Sequence, residues 1–406
     1  ISSGTTREQP NTWLNFRKEV NLPNVPTSVI ARIGADSKYW LWINGKPVVF
    51  EGGLKRGPNP LDTYYDEVEI APYLKRGENT IAVLLWYFGR PSFSHNDSGK
   101  AGLLFDCQTP SFDILSDDSW KCEANPAYGT CPPPDPNMRL AESNIRYDAR
   151  KAGRAWHQPD FNADEMPQAV ENGTAGSRPW NKLVLRPIPL WKVGELQDYP
   201  SQVRNGDTIV CTLPYNAQIT PYIKLKASSG DKVQIFTDNY LKYNGGDNYL
   251  RCEYIARDGV QDYENKGWTN GHWVYYVVPA DAEVMELKFR ESGYDTEFVG
   301  TFECSDPEFN RFLTKAVRTL YITMRDTYMD CPDRERSQWT GDVVNESGEA
   351  FYALSESANR LTRKWLHNLA GWQKPDGVIY APVPSSNWDK ELPGQVMASL
   401  GYYGLW

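Results

Sequence analysis

The chain has 406 residues, of which 40% are hydrophobic and 23% are charged, so it is long enough for two or three soluble domains. Its formal net charge of −9 opposes nonspecific binding to nucleic acid or to anionic membranes, because phosphate contacts need a basic surface. No apolar run approaches the ~20 residues of a transmembrane helix. The four histidines lie far apart, so we expect neither a metal site nor a bound cofactor.

Short β-strands separated by polar turns dominate residues 1–193, which we predict to be the first domain. The clearest signal is Asn44-Gly45 between the apolar runs 38–43 and 46–50, because Asn-Gly favours a two-residue hairpin turn. Many short strands of this kind indicate a β-sandwich. Six aromatic residues stand out in this region: Trp40, Trp42, Tyr64, Tyr65, Trp86 and Tyr87. They either pack the core, which is the commoner role, or form a platform that binds carbohydrate.

A proline-rich stretch, residues 121–137, interrupts this pattern. Its prolines, including Pro126 and four in the run 132–136, predict a long surface loop rather than a regular element. Cys122 and Cys131 bracket part of this loop, and the sequence leaves open whether they form a disulfide.

Residues 194–300 again resemble a β domain and are predicted to be a second sandwich. The candidate strands are 208–213, 222–226, 232–237, 273–278 and 286–289. Turns are predicted at Ser229-Gly230 and at Asn244-Gly245.

At Ser305 the hydrophobic period changes from two to about 3.6, which predicts helices over the third domain, residues 301–406. Ser305-Asp-Pro-Glu308 has the pattern of a capping box, and we expect the first helix to end near Thr327. Its predicted apolar stripe consists of Phe309, Phe312, Leu313, Val317, Leu320, Tyr321 and Met324. A second helix is predicted from about Asp342 to Tyr352. The face of a third carries Leu361, Trp365, Leu369 and Trp372, and a fourth is predicted to start near 396.

The segment 330–342 between the first two predicted helices concentrates chemistry. It reads Asp-Cys-Pro-Asp-Arg-Glu-Arg-Ser-Gln-Trp-Thr-Gly-Asp, with Glu335 between Arg334 and Arg336. Carboxylates accept hydrogen bonds from hydroxyl groups, and an indole covers the apolar face of a sugar ring. A carboxyl group among other acids also holds its proton to higher pH and can donate it. The alternative is a surface loop whose charges pair with one another.

This segment resembles the signature of the inverting bacterial α-L-rhamnosidases, a glycoside hydrolase family with an (α/α)6 catalytic barrel. Residues 300–306, 364–366 and 373–377 resemble the neighbouring motif blocks of that family. The resemblance implies a multidomain fold in which two jelly-roll-like β-sandwiches precede the first helices of the barrel. It implies Glu335 as the general acid. It also implies four substrate-binding residues: Asp330, Arg334, Trp339 and Asp342.

The resemblance further implies a rhamnose-containing oligosaccharide or glycoside as substrate and an extracytoplasmic bacterial location. Inversion needs a second carboxylate that activates water, and the resemblance places it beyond Trp406. The alternatives inside the chain are Glu346, Glu349, Asp389 and Glu391. About 100 residues after Ser305 cannot form the twelve helices of the barrel. We therefore expect a fragment that ends inside the barrel and is inactive by itself.

Two other functions fit the same residues. A different helical-barrel glycosidase would use this loop for another sugar, because the pocket shape selects the sugar. A non-catalytic carbohydrate-binding protein would rely on the sandwiches alone. The presence of Glu335 favours an enzyme, since a binding module does not need a proton donor.

Overall fold

A computed structural model of the chain describes residues 1–5, 9–54, 57–153, 155–242 and 250–387. The strands, in chain order, are β1 Thr12–Leu22, β2 Ile30–Asp36, β3 Lys38–Ile43, β4 Lys46–Gly53, β5 Thr63–Glu69, β6 Gly77–Tyr87, β7 Gly102–Gln108, β8 Asp113–Leu115, β9 Lys121–Ala124, β10 Tyr128–Thr130, β11 Ile145–Asp148, β12 Leu183–Leu185, β13 Lys192–Asp198, β14 Ser201–Asn205, β15 Thr208–Ala227, β16 Lys232–Thr237, β17 Arg251–Ile255, β18 Gly259–Glu264, β19 Thr269–Val277 and β20 Glu283–Gly293. The helices are α1 Asp238–Lys242, α2 Pro307–Ile322, α3 Thr340–Ala353 and α4 Ser357–Gly371.

Contacts divide the chain into two compact units. The first contains residues 1–91, 95–128 and 152–186, and the second contains residues 92–94, residues 129–151 and the chain from 187 onward. The described part is mostly β-sheet, and its long helices all follow residue 306. The division into three domains, with boundaries at 193/194 and 300/301, stays a prediction.

The first unit contains two five-stranded sheets, with the strand orders β4-β3-β6-β1-β9 and β12-β5-β2-β7-β8. Strand β2 of one sheet contacts β4 and β6 of the other. The predicted hairpin at Asn44-Gly45 is confirmed, since Ile43 pairs with Lys46 across it. Both turn residues have positive φ angles, 52° and 76°, which the primed turn of a tight hairpin requires.

Most of the six aromatic residues singled out in this region lie in its core. Trp40, Tyr64, Trp86 and Tyr87 are buried, whereas Trp42 and Tyr65 are half-buried. Trp13 stacks on Trp86 with ring centroids 4.7 Å apart. Four of the six are therefore packing residues, whose burial removes large apolar surfaces from water.

The prediction that residues 121–137 contain no regular element is wrong. Strand β9 pairs with β1, where Leu14 lies opposite Ala124, and β10 joins the edge of the large sheet of the second unit. Both strands can form because the prolines lie outside them: Pro126 lies between β9 and β10, and the prolines at 132–136 follow β10. Cys122 and Cys131 are free thiols.

The second unit is built on one ten-stranded sheet with the order β10-β11-β17-β16-β19-β15-β20-β13, to which β14 and β18 add by pairing with β15. Strand β15 has 20 residues. Its first half pairs with β14 and β19, and its second half pairs with β18 and β20. The register shifts between Thr212 and Ala217, so the strand can change partners there. The strands of the region predicted to be a second sandwich, residues 194–300, are therefore hydrogen-bonded into one continuous sheet.

Helix α2 starts and ends differently from the prediction. Asp306, not Ser305, caps its N-terminus, with its side chain accepting a hydrogen bond from the backbone N–H of Glu308 at 2.8 Å. The helix ends at Ile322 rather than near Thr327. The Nε2 group of Gln218 donates hydrogen bonds to the carbonyl oxygens of Ile322 and Met324. A side chain from the sheet thus supplies the donor that the backbone of a further helical turn would have supplied.

The predicted apolar stripe of α2 is only partly buried. Leu320 and Tyr321 lie in a core with α3 and α4, but Phe309 and Phe312 are 61% and 67% exposed. The prediction for α4 is confirmed: Leu361, Trp365, Leu369 and Trp372 are all buried. The fourth predicted helix lies outside the described residues. No helix of the described part is long and apolar enough to cross a membrane.

Candidate active site

The acidic segment 330–342 forms a closed loop after α2 and continues into the first turn of α3. The backbone N–H of Asp330 donates to the carbonyl oxygen of Ser337 at 2.9 Å. In return, the N–H of Ser337 donates to Oδ1 of Asp330 at 2.9 Å. Arg336 adopts a positive φ of 54°, which lets the chain reverse direction inside the loop. This closure fixes the ends of the loop and carries Glu335 inward.

Glu335 lies at the centre of the site, and its side chain is 3% exposed. Its Oε2 atom accepts a hydrogen bond from the indole N–H of Trp339 at 2.8 Å. Its Oε1 atom forms ion pairs with Arg139 and, at 2.9 Å, with Nη2 of Arg334. Both oxygens of the carboxyl group are therefore oriented by named donors.

Arg139 comes from the 129–151 segment and is held by Phe93. Its guanidinium lies 5.3 Å from the centre of the Phe93 ring, a distance suited to a cation–π contact. The N–H of Phe93 donates to the carbonyl oxygen of Arg139 at 2.9 Å. The Phe93 ring also meets Trp339 edge to face, with centroids 6.1 Å apart. Phe93 thus supports two of the groups that contact Glu335.

Arg336 has a different role from Arg334. It is buried, and its guanidinium pairs with Glu142 at 3.2 Å and donates to the carbonyl oxygens of Pro332 and Trp268. It also lies 3.3 Å from the centre of the Trp268 ring. These contacts anchor the loop to the sheet and turn the guanidinium away from Glu335.

The two bracketing aspartates carry raised pKa values. Burial, together with the charge of Glu335, raises the pKa of Asp330 to about 7. Asp342 lies in the first turn of α3, where burial of its carboxyl group and the charge of Glu335 raise its pKa. Both aspartates are therefore within electrostatic reach of Glu335.

The in-chain candidates for the water-activating carboxylate differ in their surroundings. Glu346 lies one turn after Asp342 on α3, and burial raises its pKa well above the ordinary value. Glu349 borders an apolar groove lined by Leu313 and Tyr352, and burial raises its pKa as well. A raised pKa opposes the ionised state that a base needs at neutral pH. Asp389 and Glu391 lie outside the described residues.

The structure brings together most of the residues predicted for the site. Arg334 and Trp339 contact Glu335 directly, whereas Asp330 and Asp342 act on it through their charge. Sequence reasoning missed Arg139 and Phe93. No local pattern marks either residue, because each reaches the loop through the tertiary fold alone. In the described part of the chain, no group of His, Cys, Asp and Glu side chains is arranged to hold a metal ion.

Comparison with known proteins connects this geometry to a family. Residues 297–397 match the bacterial alpha-L-rhamnosidase 6 hairpin glycosidase domain. The chain is 23% identical over 367 residues to the alpha-L-rhamnosidase of Formosa agariphila, covering 81% of this chain and 36% of that protein. It is also 23% identical over 404 residues to the alpha-L-rhamnosidase of Streptomyces avermitilis, covering 91% of this chain and 37% of that protein. The chain thus spans a little over a third of these relatives.

Solved structures share the fold at low sequence identity. A GH78 family rhamnosidase of Bacillus sp. GL1 superposes with a TM-score of 0.84 and 17% identity, covering 98% of this chain and 65% of that one. The Streptomyces avermitilis alpha-L-rhamnosidase complexed with L-rhamnose gives a TM-score of 0.74 and 18% identity, covering 93% and 38%.

The described part of the chain is rich in β-sheet, and its last helices lie in the segment that matches a six-hairpin glycosidase domain. The matched residues contain the whole loop 330–342 and all of α2, α3 and α4. Through this segment the chain is similar to the bacterial alpha-L-rhamnosidases.

Proposed function

We propose that the full-length protein containing this chain is a glycoside hydrolase that removes terminal α-L-rhamnose from glycans or glycosides with inversion. The observation that carries the proposal is the position of Glu335. It lies inside the segment that matches the rhamnosidase hairpin domain, and its buried carboxyl group is oriented by Trp339, Arg139 and Arg334. A relative whose structure is described as complexed with L-rhamnose supports the choice of sugar.

In this proposal Glu335 donates its proton to the glycosidic oxygen as the bond to the sugar breaks. Trp339 is half-buried, so part of its indole remains available to cover the apolar face of the ring. Asp330, Asp342 and Arg334 hydrogen-bond the sugar hydroxyl groups. A carboxylate ~6.5–9.5 Å from the acid activates water on the opposite face of the sugar. We place this base outside the described residues.

The finer description of the fold belongs to the same proposal. The sheets of the two units would be jelly-roll-like sandwiches, and α2 to α4 would open an (α/α)6 barrel. The match of residues 297–397 to a six-hairpin domain supports this assignment of the helices. An extracytoplasmic location is likewise proposed, and fractionation of the producing cells tests it.

Turnover of an aryl α-L-rhamnoside by the full-length protein tests the proposed function. Other aryl glycosides serve as controls, and proton NMR of the first product identifies its anomer. We expect turnover of the rhamnoside alone, with β-L-rhamnose released first. Turnover of a different glycoside would identify another helical-barrel glycosidase. Sugar binding without any turnover would identify a non-catalytic carbohydrate-binding protein. Release of the α-anomer first would contradict inversion.

A further inference from the structure

The thiol of Cys331 closes the turn that leads to Glu335. The backbone N–H of Glu335 donates a hydrogen bond to the sulfur at 3.4 Å, and the backbone N–H of Arg336 donates to the same sulfur. A partly buried N–H group that lacks an acceptor destabilises the conformation that buries it. The sulfur therefore stabilises the backbone conformation from which the carboxyl group of Glu335 extends.

The same thiol contacts one of the aspartates that bracket Glu335. Its S–H group donates a hydrogen bond to the side chain of Asp330. The Oδ1 atom of Asp330 also accepts the backbone N–H of Ser337 at 2.9 Å. One sulfur atom thus connects the main chain of the proposed acid with a carboxyl group that is proposed to bind the sugar.

The chemistry of a thiol suits both contacts of Cys331. A thiol donates through its hydrogen and accepts through its sulfur. Burial and the charge of Asp330 raise the pKa of Cys331 to about 12, so the group stays neutral at physiological pH. A carboxylate at this position would add a negative charge beside Asp330 and Glu335. An aliphatic side chain would leave the N–H of Glu335 without this acceptor.

We infer that Cys331 is a positioning residue, whose thiol holds the backbone of Glu335 and the carboxyl group of Asp330 in a fixed relation. This inference rests on the proposed function, which makes Glu335 the acid and Asp330 a ligand of the sugar. Cys331 acts through these two residues rather than on the substrate. Removal of the thiol should therefore affect the chemical step through Glu335 and the binding of rhamnose through Asp330.

Cys331→Ala in the full-length protein removes both hydrogen-bonding functions. Its kcat on an aryl rhamnoside should fall about 3- to 10-fold, as loss of a neutral hydrogen bond allows. Cys331→Ser restores a donor and an acceptor and should keep at least about half of the wild-type kcat. The control is Cys304→Ala, because Cys304 is also half-buried and its thiol donates to the carbonyl oxygen of Asp306 at 3.3 Å. The control should retain the wild-type kcat.

The pH dependence of rhamnose binding separates positioning from a general effect on folding. Burial and the charges of Glu335 and Asp342 raise the pKa of Asp330 to about 7, and Glu346 on α3 also lies within electrostatic reach. The thiol of Cys331 opposes this rise, because it donates to the charged form of the carboxyl group. Without the thiol, the carboxylate should form at a higher pH.

Calorimetry with rhamnose between pH 5.5 and pH 8.5 measures this effect. The midpoint of the rise in affinity should move upward by roughly 0.5 pH units in Cys331→Ala and should return toward the wild-type value in Cys331→Ser. A loosened fold would instead lower the affinity at every pH without moving the midpoint. Circular dichroism checks folding. If the alanine variant does not fold, Cys331→Val, which fills the space without a donor or acceptor, takes its place.

An unmoved midpoint in the folded alanine or valine variant would overturn the inference. A serine variant as impaired as the alanine variant would overturn it as well. Wild-type turnover of a rhamnoside separates the two proposals. Turnover that Cys331→Ala leaves unchanged would sustain the proposed function and refute the positioning role. Rhamnose binding whose midpoint moves in Cys331→Ala, without turnover of any rhamnoside, would do the reverse.

Discussion

The indole N–H of Trp339 donates a hydrogen bond to Oε2 of Glu335 at 2.8 Å. The two residues are four positions apart, and Trp339 is the N-cap residue of α3. Trp339 therefore has two tasks in the proposed site: its ring offers a surface to the sugar, and its nitrogen fixes the direction in which the carboxyl group points. A substitution that keeps the ring and removes the nitrogen can separate these tasks.

Trp339→Phe is that substitution. Loss of a hydrogen bond to a charged group costs about 1.5–3 kcal/mol, so we expect kcat on an aryl rhamnoside to fall about 10- to 100-fold while KM changes little. Trp339→Ala removes the ring as well and should raise KM in addition. If the phenylalanine variant kept the wild-type kcat, the hydrogen bond to Glu335 would have no role in the chemical step.

Glu335→Gln tests the acid itself. It preserves the shape of the side chain and removes the proton donor, so activity of the full-length protein should fall at least ~100-fold. Substrates with good leaving groups should lose less activity, because their departing oxygen needs less protonation. Glu303→Gln, at an exposed position ahead of α2, is the matched control and should retain full activity. Near wild-type rates on a natural glycoside would remove Glu335 from the role of acid.

Asp330→Asn and Asp342→Asn should weaken inhibition by rhamnose, since a neutral amide is a weaker acceptor than a carboxylate. For Asp330 the effect should depend on pH. Its pKa of about 7 means that the carboxylate prevails only above neutrality, so wild-type affinity for rhamnose should increase between pH 6 and pH 8. The Asp330→Asn variant should show no such increase. Inhibition constants identical to wild type in both variants would reduce the two acids to structural roles.

Asp333 gives a prediction about stability rather than activity. Burial raises its pKa from 3.8 to about 7, although the charge of Arg336 and a hydrogen bond from Asn239 oppose the shift. The folded state therefore binds more protons than the unfolded state between about pH 4 and pH 7. The free energy of unfolding should decrease across this window as the pH rises, by a few kcal/mol at most.

Asp333→Asn removes that titration, so its stability relative to wild type should improve from pH 4 to pH 8. Urea midpoints measured at both pH values would show this. Asp281→Asn, at an exposed position between β19 and β20, is the control and should show no comparable trend. A constant difference between Asp333→Asn and wild type would mean that Asp333 keeps an ordinary pKa in the folded protein.

Local patterns were reliable where local chemistry decides the structure. Asn44-Gly45 predicts its hairpin because few other dipeptides adopt two positive φ angles easily, and the structure has both. The apolar face of α4 is predicted by its helical spacing and is buried. The end of α2 was misplaced because Gln218, about 100 residues earlier in the chain, takes the carbonyl groups that would have continued the helix.

The candidate site shows the same contrast between features that the local sequence predicts and features that depend on the tertiary fold. The loop that carries Glu335 is visible in the sequence, since its residues are contiguous. The direction of each arginine is not, because Arg334 and Arg336 flank the same glutamate and only the structure turns one toward it and the other toward Glu142. Arg139 lies 196 residues before Glu335, and a contact over that separation leaves no periodicity to detect. Burial of Asp330 and Asp333 likewise depends on the tertiary fold.

The parallel pairing of β11 with β17 has a consequence for synthesis of the chain. Ile145 lies opposite Cys252 in that ladder, so a strand made early must wait for a partner that leaves the ribosome about 100 residues later, or roughly 5–20 seconds at ordinary elongation rates. During this interval β11 presents an unpaired edge, which is a hazard for aggregation. Arg139 precedes β11 in the same segment, so this one of the two arginines that contact Glu335 cannot be transferred with the helices alone. A transplant of residues 194–406 onto another scaffold would leave it behind.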